Sequence, residues 1–165
     1  MALQLTPRLF RHLINWWPPF RGAGIRVTAI SADWHHVRVE LRAGLRNRNY
    51  FGSHFGGSLY AMADPFYVLM LAHVLGGDYL IWDQAAEIEF LKPGRGVVSA
   101  DFHLDAGEIG RLRREAADGS KLLPEYTVEI RDAGGELVAR VRKRLYVRLK
   151  KRARPDPVAP RLTED

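Results

Sequence analysis

The sequence predicts a single α+β domain in which a curled sheet of six antiparallel strands wraps around one central, very apolar helix. Three observations carry this expectation. Six short stretches alternate apolar and polar residues with a period of two, one long stretch over 56–75 is apolar on nearly every side, and turn-forming residues separate them. A strand of period two leaves one face that needs covering, and a helix apolar all round needs wrapping. Sheet and helix therefore each supply what the other lacks.

Taken in order, residues 7–17 carry Leu9, Phe10, Leu13, Ile14 and Trp17 at helical spacing, and Pro18-Pro19 is expected to end that helix. Its apolar residues are expected to pack on the domain itself. Ile25, Val27 and Ala29 alternate next, followed by Val37, Val39 and Leu41 against Arg38, Glu40 and Arg42, which gives two strands. The segment 56–75 contains Leu59, Met62, Phe66, Leu69 and Leu71 and is closed by Gly76-Gly77.

Four further strands are expected over 82–92, with Ala86, Ile88 and Phe90 inward, over 97–104, with Val98, Ala100, Phe102 and Leu104 inward, and over 126–131 and 136–149. The turns at Pro93–Gly96 and Asp132–Gly135 predict antiparallel hairpins between sequence neighbours. A surface helix over about 107–118, with Ile109 and Leu112 one turn apart, interrupts this series. The domain is placed at 1–149. Residues 150–165, charged and with three prolines, are expected to form a basic disordered tail.

A chain of 165 residues with 47% hydrophobic residues suits one domain with a real core. It has no cysteine, which excludes disulfides, a thiolate nucleophile and cysteine-based metal sites. The N-terminal residues do not resemble a secretion signal, so a cytoplasmic location is expected. The stretch 59–75 approaches the length of a membrane span, but Asp64, Pro65 and His73 favour a buried core helix, and no membrane partner is expected. A net charge of +6 suits anionic partners. Arg140, Arg142, Arg144 and Arg148 alternate along the last strand; nucleic-acid binding through it and the tail ranks behind the readings given below.

The element order is that of the hotdog fold. The segment from Asn49 to Asp64, with Gly56-Gly57 opening the helix and the acid eight positions after Gly56, resembles the signature of hotdog thioesterases of the phenylacetate-degradation type. Asp64-Pro65 and the inserted helix make the chain most similar to an uncharacterised branch labelled as a tetrameric acyl-CoA thioesterase. The resemblance implies hydrolysis of an acyl-CoA-type thioester. Asp64 of a neighbouring subunit would act as base or nucleophile, the amides of Gly56 and Gly57 would stabilise the oxyanion, and Asn49 would orient water or substrate. Asp83 stands where relatives often carry a polar helper. Where members usually have histidine directly before the double glycine, this chain has Phe55, with His54 one residue earlier; His54 is thus a further helper, and Asn47 a substitute for Asn49.

A homodimer or homotetramer is implied, with coenzyme A present only as part of the substrate and no other cofactor. No metal is expected: Asp101, His103 and Asp105 alternate on a wet strand face and fall short of a familiar ligand set. Two alternatives accompany this reading. The chain could be a non-catalytic hotdog module that binds acyl-CoA or acyl-carrier protein, and Asp64 could cap backbone groups freed by Pro65.

Overall fold

The computed structural model describes residues 5–45 and 47–153. The elements are α1 (Pro7–Ile14), α2 (Pro18–Ala23), β1 (Ile25–Ile30), β2 (His36–Arg42), α3 (Gly56–Ala61), α4 (Phe66–Leu75), β3 (Tyr79–Phe90), β4 (Val97–His103), α5 (Ala106–Glu115), β5 (Glu125–Asp132) and β6 (Leu137–Leu149). A 3-10 turn at Lys151–Ala153 follows; the remainder of the expected tail lies outside the described residues.

All six strands form one antiparallel sheet in the order β1-β2-β4-β5-β6-β3. The turn at Asp132–Gly135 makes the expected hairpin, with Gly135 at φ 82°. The turn at 93–96 does not. β3 pairs with β6, and β4 lies between β2 and β5, so this connection carries the chain across the sheet. A turn sequence fixes a change of direction without fixing which strand becomes the neighbour.

As a result β3 has a free edge, and Ala86 and Phe90 are exposed where the sequence predicts them inward. The β4 phase is as expected: Val98, Ala100 and Phe102 are buried. The core is the concave side of the sheet closed by α4, whose Phe66, Tyr67, Met70, Leu71 and Leu75 are buried against it. Removing a ring such as that of Phe66 costs about 3–5 kcal/mol in comparable cores. Tyr67 reaches through this core to donate to the Thr127 carbonyl at 3.0 Å.

Two predicted helices are interrupted. The N-terminal one stops at Ile14 rather than Trp17, and Pro18-Pro19 opens α2 instead of simply ending α1, because proline is favoured in a first helical turn. The central stretch 56–75 breaks between α3 and α4 at residues 62–65. Pro65 lacks an amide hydrogen and its ring opposes a helical conformation at Asp64. This break is where the candidate site lies.

Candidate active site

Lys143 occupies an inward position of β6, in phase with buried Val141, Leu145 and Val147. A lysine there must find partners, since an unpaired buried charge is very costly. It finds three. Its ammonium donates to the Asp64 carbonyl oxygen at 2.7 Å, freed by the helix break, lies 2.9 Å from Asp64 Oδ1, and lies 2.9 Å from Asp83 Oδ2. The Lys143 side chain is 0% exposed, whereas that of Asp64 is 46% exposed and that of Asp83 28%. The cluster is anchored inside and opens outward through its carboxylates.

Local geometry aims each member. The register of β3 shifts between Asp83 and Ala85, a bulge next to the aspartate; such irregularities re-aim side chains. The ring centre of Tyr60 on α3 is 5.4 Å from the Lys143 ammonium. Burial raises the Tyr60 hydroxyl above its ordinary value, with Asp64 adding to this.

Burial pulls the Lys143 ammonium down, but its hydrogen bonds to Asp64 and Asp83 more than restore it, so it holds its proton beyond the usual lysine range. Burial likewise raises Asp83, outweighing the pull of Lys143 in the other direction. Asp83 Oδ1 is buried with no hydrogen-bond partner among the described residues. Beside the bulge lies a shallow cavity of about 330 Å³ lined by Ala85, Ala86, Glu125, Arg142, Lys143 and Arg144.

Of the residues singled out from sequence, the structure unites Asp64 and Asp83. The others are held elsewhere by their own bonds. Asn49 Oδ1 accepts from the amides of Phe51 and Ser53, and its amide donates to Ser53 Oγ and the His54 carbonyl, so it folds its own loop. Asn47 accepts from the Gly44 amide and donates to the carbonyls of Ala23 and Arg42, which locks the loop after β2 to the end of α2. His54 is buried and bonds through Nε2 to the Gly96 carbonyl at 3.1 Å, with Nδ1 unpartnered among the described residues; burial lowers its pKa.

Gly56 and Gly57 open α3, ahead of the first bonds from Ser58 and Leu59 to the Phe55 carbonyl. A Cβ at Gly56 would lie 3.1 Å from the Phe90 ring, so this glycine lets β3 pack against the helix start.

Lys143 and Tyr60 are the members that sequence reasoning missed. For Lys143 a signal existed: it is a cation in the apolar phase of a strand whose arginines mark the wet phase.

The His36, Asp101 and His103 side chains form the one potential metal-ligand group among the described residues, with ligand atoms within 4.8 Å of one another. His36 Nε2 is already 2.8 Å from Asp101 Oδ1, and Arg38 is bonded to the other oxygen, so both oxygens of Asp101 are engaged. Asp105 is not part of it; it caps α5 by accepting from the amides of Gly107 and Glu108. The outward arginines of β6 are also engaged: Arg140 with Glu89 and Glu129, Arg142 with Glu87, Arg144 with Glu125. This ladder removes most of the free charge that a nucleic-acid contact through β6 needs.

A six-stranded antiparallel sheet closed by an apolar helix defines a hotdog-fold protein. Within that class the chain belongs to the family described as a domain of unknown function, DUF4442, whose model matches residues 6–147. No curated protein matches the sequence.

Among solved structures, the chain is similar to PA5026 of Pseudomonas aeruginosa, described as a protein of unknown function and "probable thioesterase". The two share 25% identity at a TM-score of 0.76, over 88% of this chain and 97% of that one. It shares the fold of thioesterase HI1161 of Haemophilus influenzae, at 17% identity and a TM-score of 0.64, over 88% and 92% of the two chains. It also shares the fold of the PaaI protein of the E. coli phenylacetic acid degradation operon, at 18% identity and a TM-score of 0.57, over 84% and 90%.

Proposed function

We propose that the protein hydrolyses an acyl-CoA-type thioester and that Asp64 is its catalytic carboxylate. One observation carries this reading: the carboxylate at the helix break is held at Oδ1 by a wholly buried ammonium, yet remains nearly half exposed. A general base needs a fixed orientation and a face open to water or substrate, and both are present. The thioesterase names of the structural neighbours support the same class of reaction.

In this reading Asp64 takes a proton from water as the oxygen attacks the thioester carbon. The amides of Gly56 and Gly57 from a second copy of the chain stabilise the developing oxyanion, and collapse expels the coenzyme A thiolate, which takes up the proton. Lys143 acts as a positioning residue through Asp64. The protein is proposed to work as a homodimer or homotetramer in the cytoplasm, with coenzyme A only as part of the substrate.

Thiol release from a panel of short, long and aromatic acyl-CoA substrates tests the proposal, and the cysteine-free chain gives no background with thiol reagents. Asp64→Asn should lower kcat by about 100-fold or more, the usual scale for losing a general base. A wild-type rate in that variant overturns the assignment. The Lys143–Asp64 pair also favours a second reading, because a carboxylate already engaged by an ammonium suits a module that binds acyl-CoA or acyl-carrier protein without turnover. Saturable binding with no thiol release would select that module.

A further inference from the structure

No aspartate or glutamate precedes Asp33 in the sequence, while Arg8, Arg11, His12, Arg21 and Arg26 all do. The fold gathers most of these basic residues at one end of the sheet. A cavity of about 470 Å³ between α1 and β1 is lined by Arg8, Arg11, His12, Asn15, Arg26 and Arg42 among others. Arg11 spends one donor on the Thr28 carbonyl and Arg42 pairs with Glu40; Arg8 and Arg26 stand exposed.

Beside the cations runs an apolar stripe that the domain leaves uncovered. α1 and α2 turn Ile14 and Phe20 into the core, but Leu9 and Leu13, one helical turn apart, are 47% and 49% exposed, and Trp16 and Trp17 are 59% and 49% exposed. The Arg21 guanidinium lies 4.6 Å from the Trp16 ring centre. The expectation that these residues all pack on their own domain is therefore met only in part.

We propose that α1, α2 and the adjoining edge of β1 form a docking surface for an anionic lipid bilayer. Apolar side chains beside arginines, with tryptophans at the boundary, match the depth profile of a membrane surface. Leucines enter the acyl boundary, tryptophans sit at headgroup level, and arginines meet phosphates. Charge selects the occupant. A second copy of this chain placed on the face by two-fold symmetry would oppose the same cations to one another, and Glu40, the acid across from Arg26, is already bonded to Arg42. The surface is independent of the Asp64 chemistry.

Co-sedimentation of the full chain with vesicles of equal parts phosphatidylglycerol and phosphatidylcholine, against pure phosphatidylcholine vesicles, tests the proposal. Binding should be at least tenfold tighter to the anionic vesicles and should weaken between about 0.1 M and about 1 M salt, where the screening length falls from about 10 to about 3 Å. Arg8→Glu with Arg26→Glu should lower it at least tenfold. The vesicles should shift tryptophan emission to the blue, and Trp16→Phe with Trp17→Phe should abolish that shift although Trp34 and Trp82 remain.

Equal binding to both vesicles, no binding to either, or unchanged binding in the charge-reversal variant overturns the proposal. So does a Leu13→Gln, Trp16→Gln variant that sediments as a smaller oligomer yet binds vesicles as before, since that outcome gives the face to a second copy.

Discussion

Lys143 Nζ and Asp64 Oδ1 lie 2.9 Å apart, joining the middle of β6 to the break between α3 and α4 across 79 residues of sequence. Because the same ammonium takes the Asp64 carbonyl, the pair secures both the backbone and the side chain of the residue that the proposed chemistry needs. Lys143→Met should therefore destabilise the protein by about 3 kcal/mol, near the low end for breaking a buried ion pair because both acids are partly wet. Adding Asp64→Asn and Asp83→Asn should recover much of that loss, and urea unfolding of the single and triple variants measures the coupling.

His54 gives a prediction near neutral pH. Its pKa is depressed by burial, so the unfolded chain binds a proton that the folded chain refuses. The associated stability is present above the ordinary histidine value of about 6.5 and is lost as pH falls through the folded value. Melting temperatures followed downward from neutral pH should fall more steeply in the wild type than in His54→Gln.

Tyr67 gives the alkaline counterpart. Burial pushes its hydroxyl up to about 12, so the folded chain keeps a proton that the unfolded chain releases above about 10. Stability should fall as pH rises through that window. Tyr67→Phe should cost about 1 kcal/mol near neutrality, through loss of the bond to Thr127, and should flatten the alkaline decline in a denaturant titration.

Asn47 and Asp64 should separate cleanly in stability and rate. Asn47→Ala strands the Gly44 amide and the carbonyls of Ala23 and Arg42, and should cost about 2 kcal/mol while folded protein keeps its turnover. Asp64→Asn should do the reverse in relative terms. Parallel unfolding curves and kcat values for the two variants check this.

The two glycines of α3 should also differ. A Cβ at Gly56 meets the exposed ring of Phe90 at 3.1 Å, a contact relieved by a few tenths of an ångström, whereas at Gly57 it meets the ring of Phe55 at 2.4 Å, which has to swing aside. Gly56→Ala should leave the melting temperature nearly unchanged; Gly57→Ala should lower both melting temperature and thiol release.

The fold was legible where a local pattern reports a global face. The inward phase of β4 and the apolar run of α4 each identify a core surface without knowledge of a neighbour. Pairing was less legible, because Pro93–Gly96 encodes a reversal but not its partner, and the crossing of β3 to β6 depends on the whole sheet. At the proposed site, the Gly56 to Asp64 spacing singled out an acid that meets the Lys143 ammonium, and Asp83 meets the same ammonium. Lys143 was hidden because its neighbours Arg142 and Arg144 made it look like one more solvated cation. Asn47 and Asn49 bond within their own loops, as an asparagine beside a glycine-rich loop serves turn geometry as readily as chemistry.

Strand order separates the two surfaces argued above: β1 forms one rim of the sheet and β3 the other. Five ladder steps of about 4.8 Å put them about 24 Å apart along the sheet. Substitutions at Arg8 or Arg26 and at Asp83 lie on opposite rims, so their free-energy effects should sum, and either property could be bred out of the chain without disturbing the other.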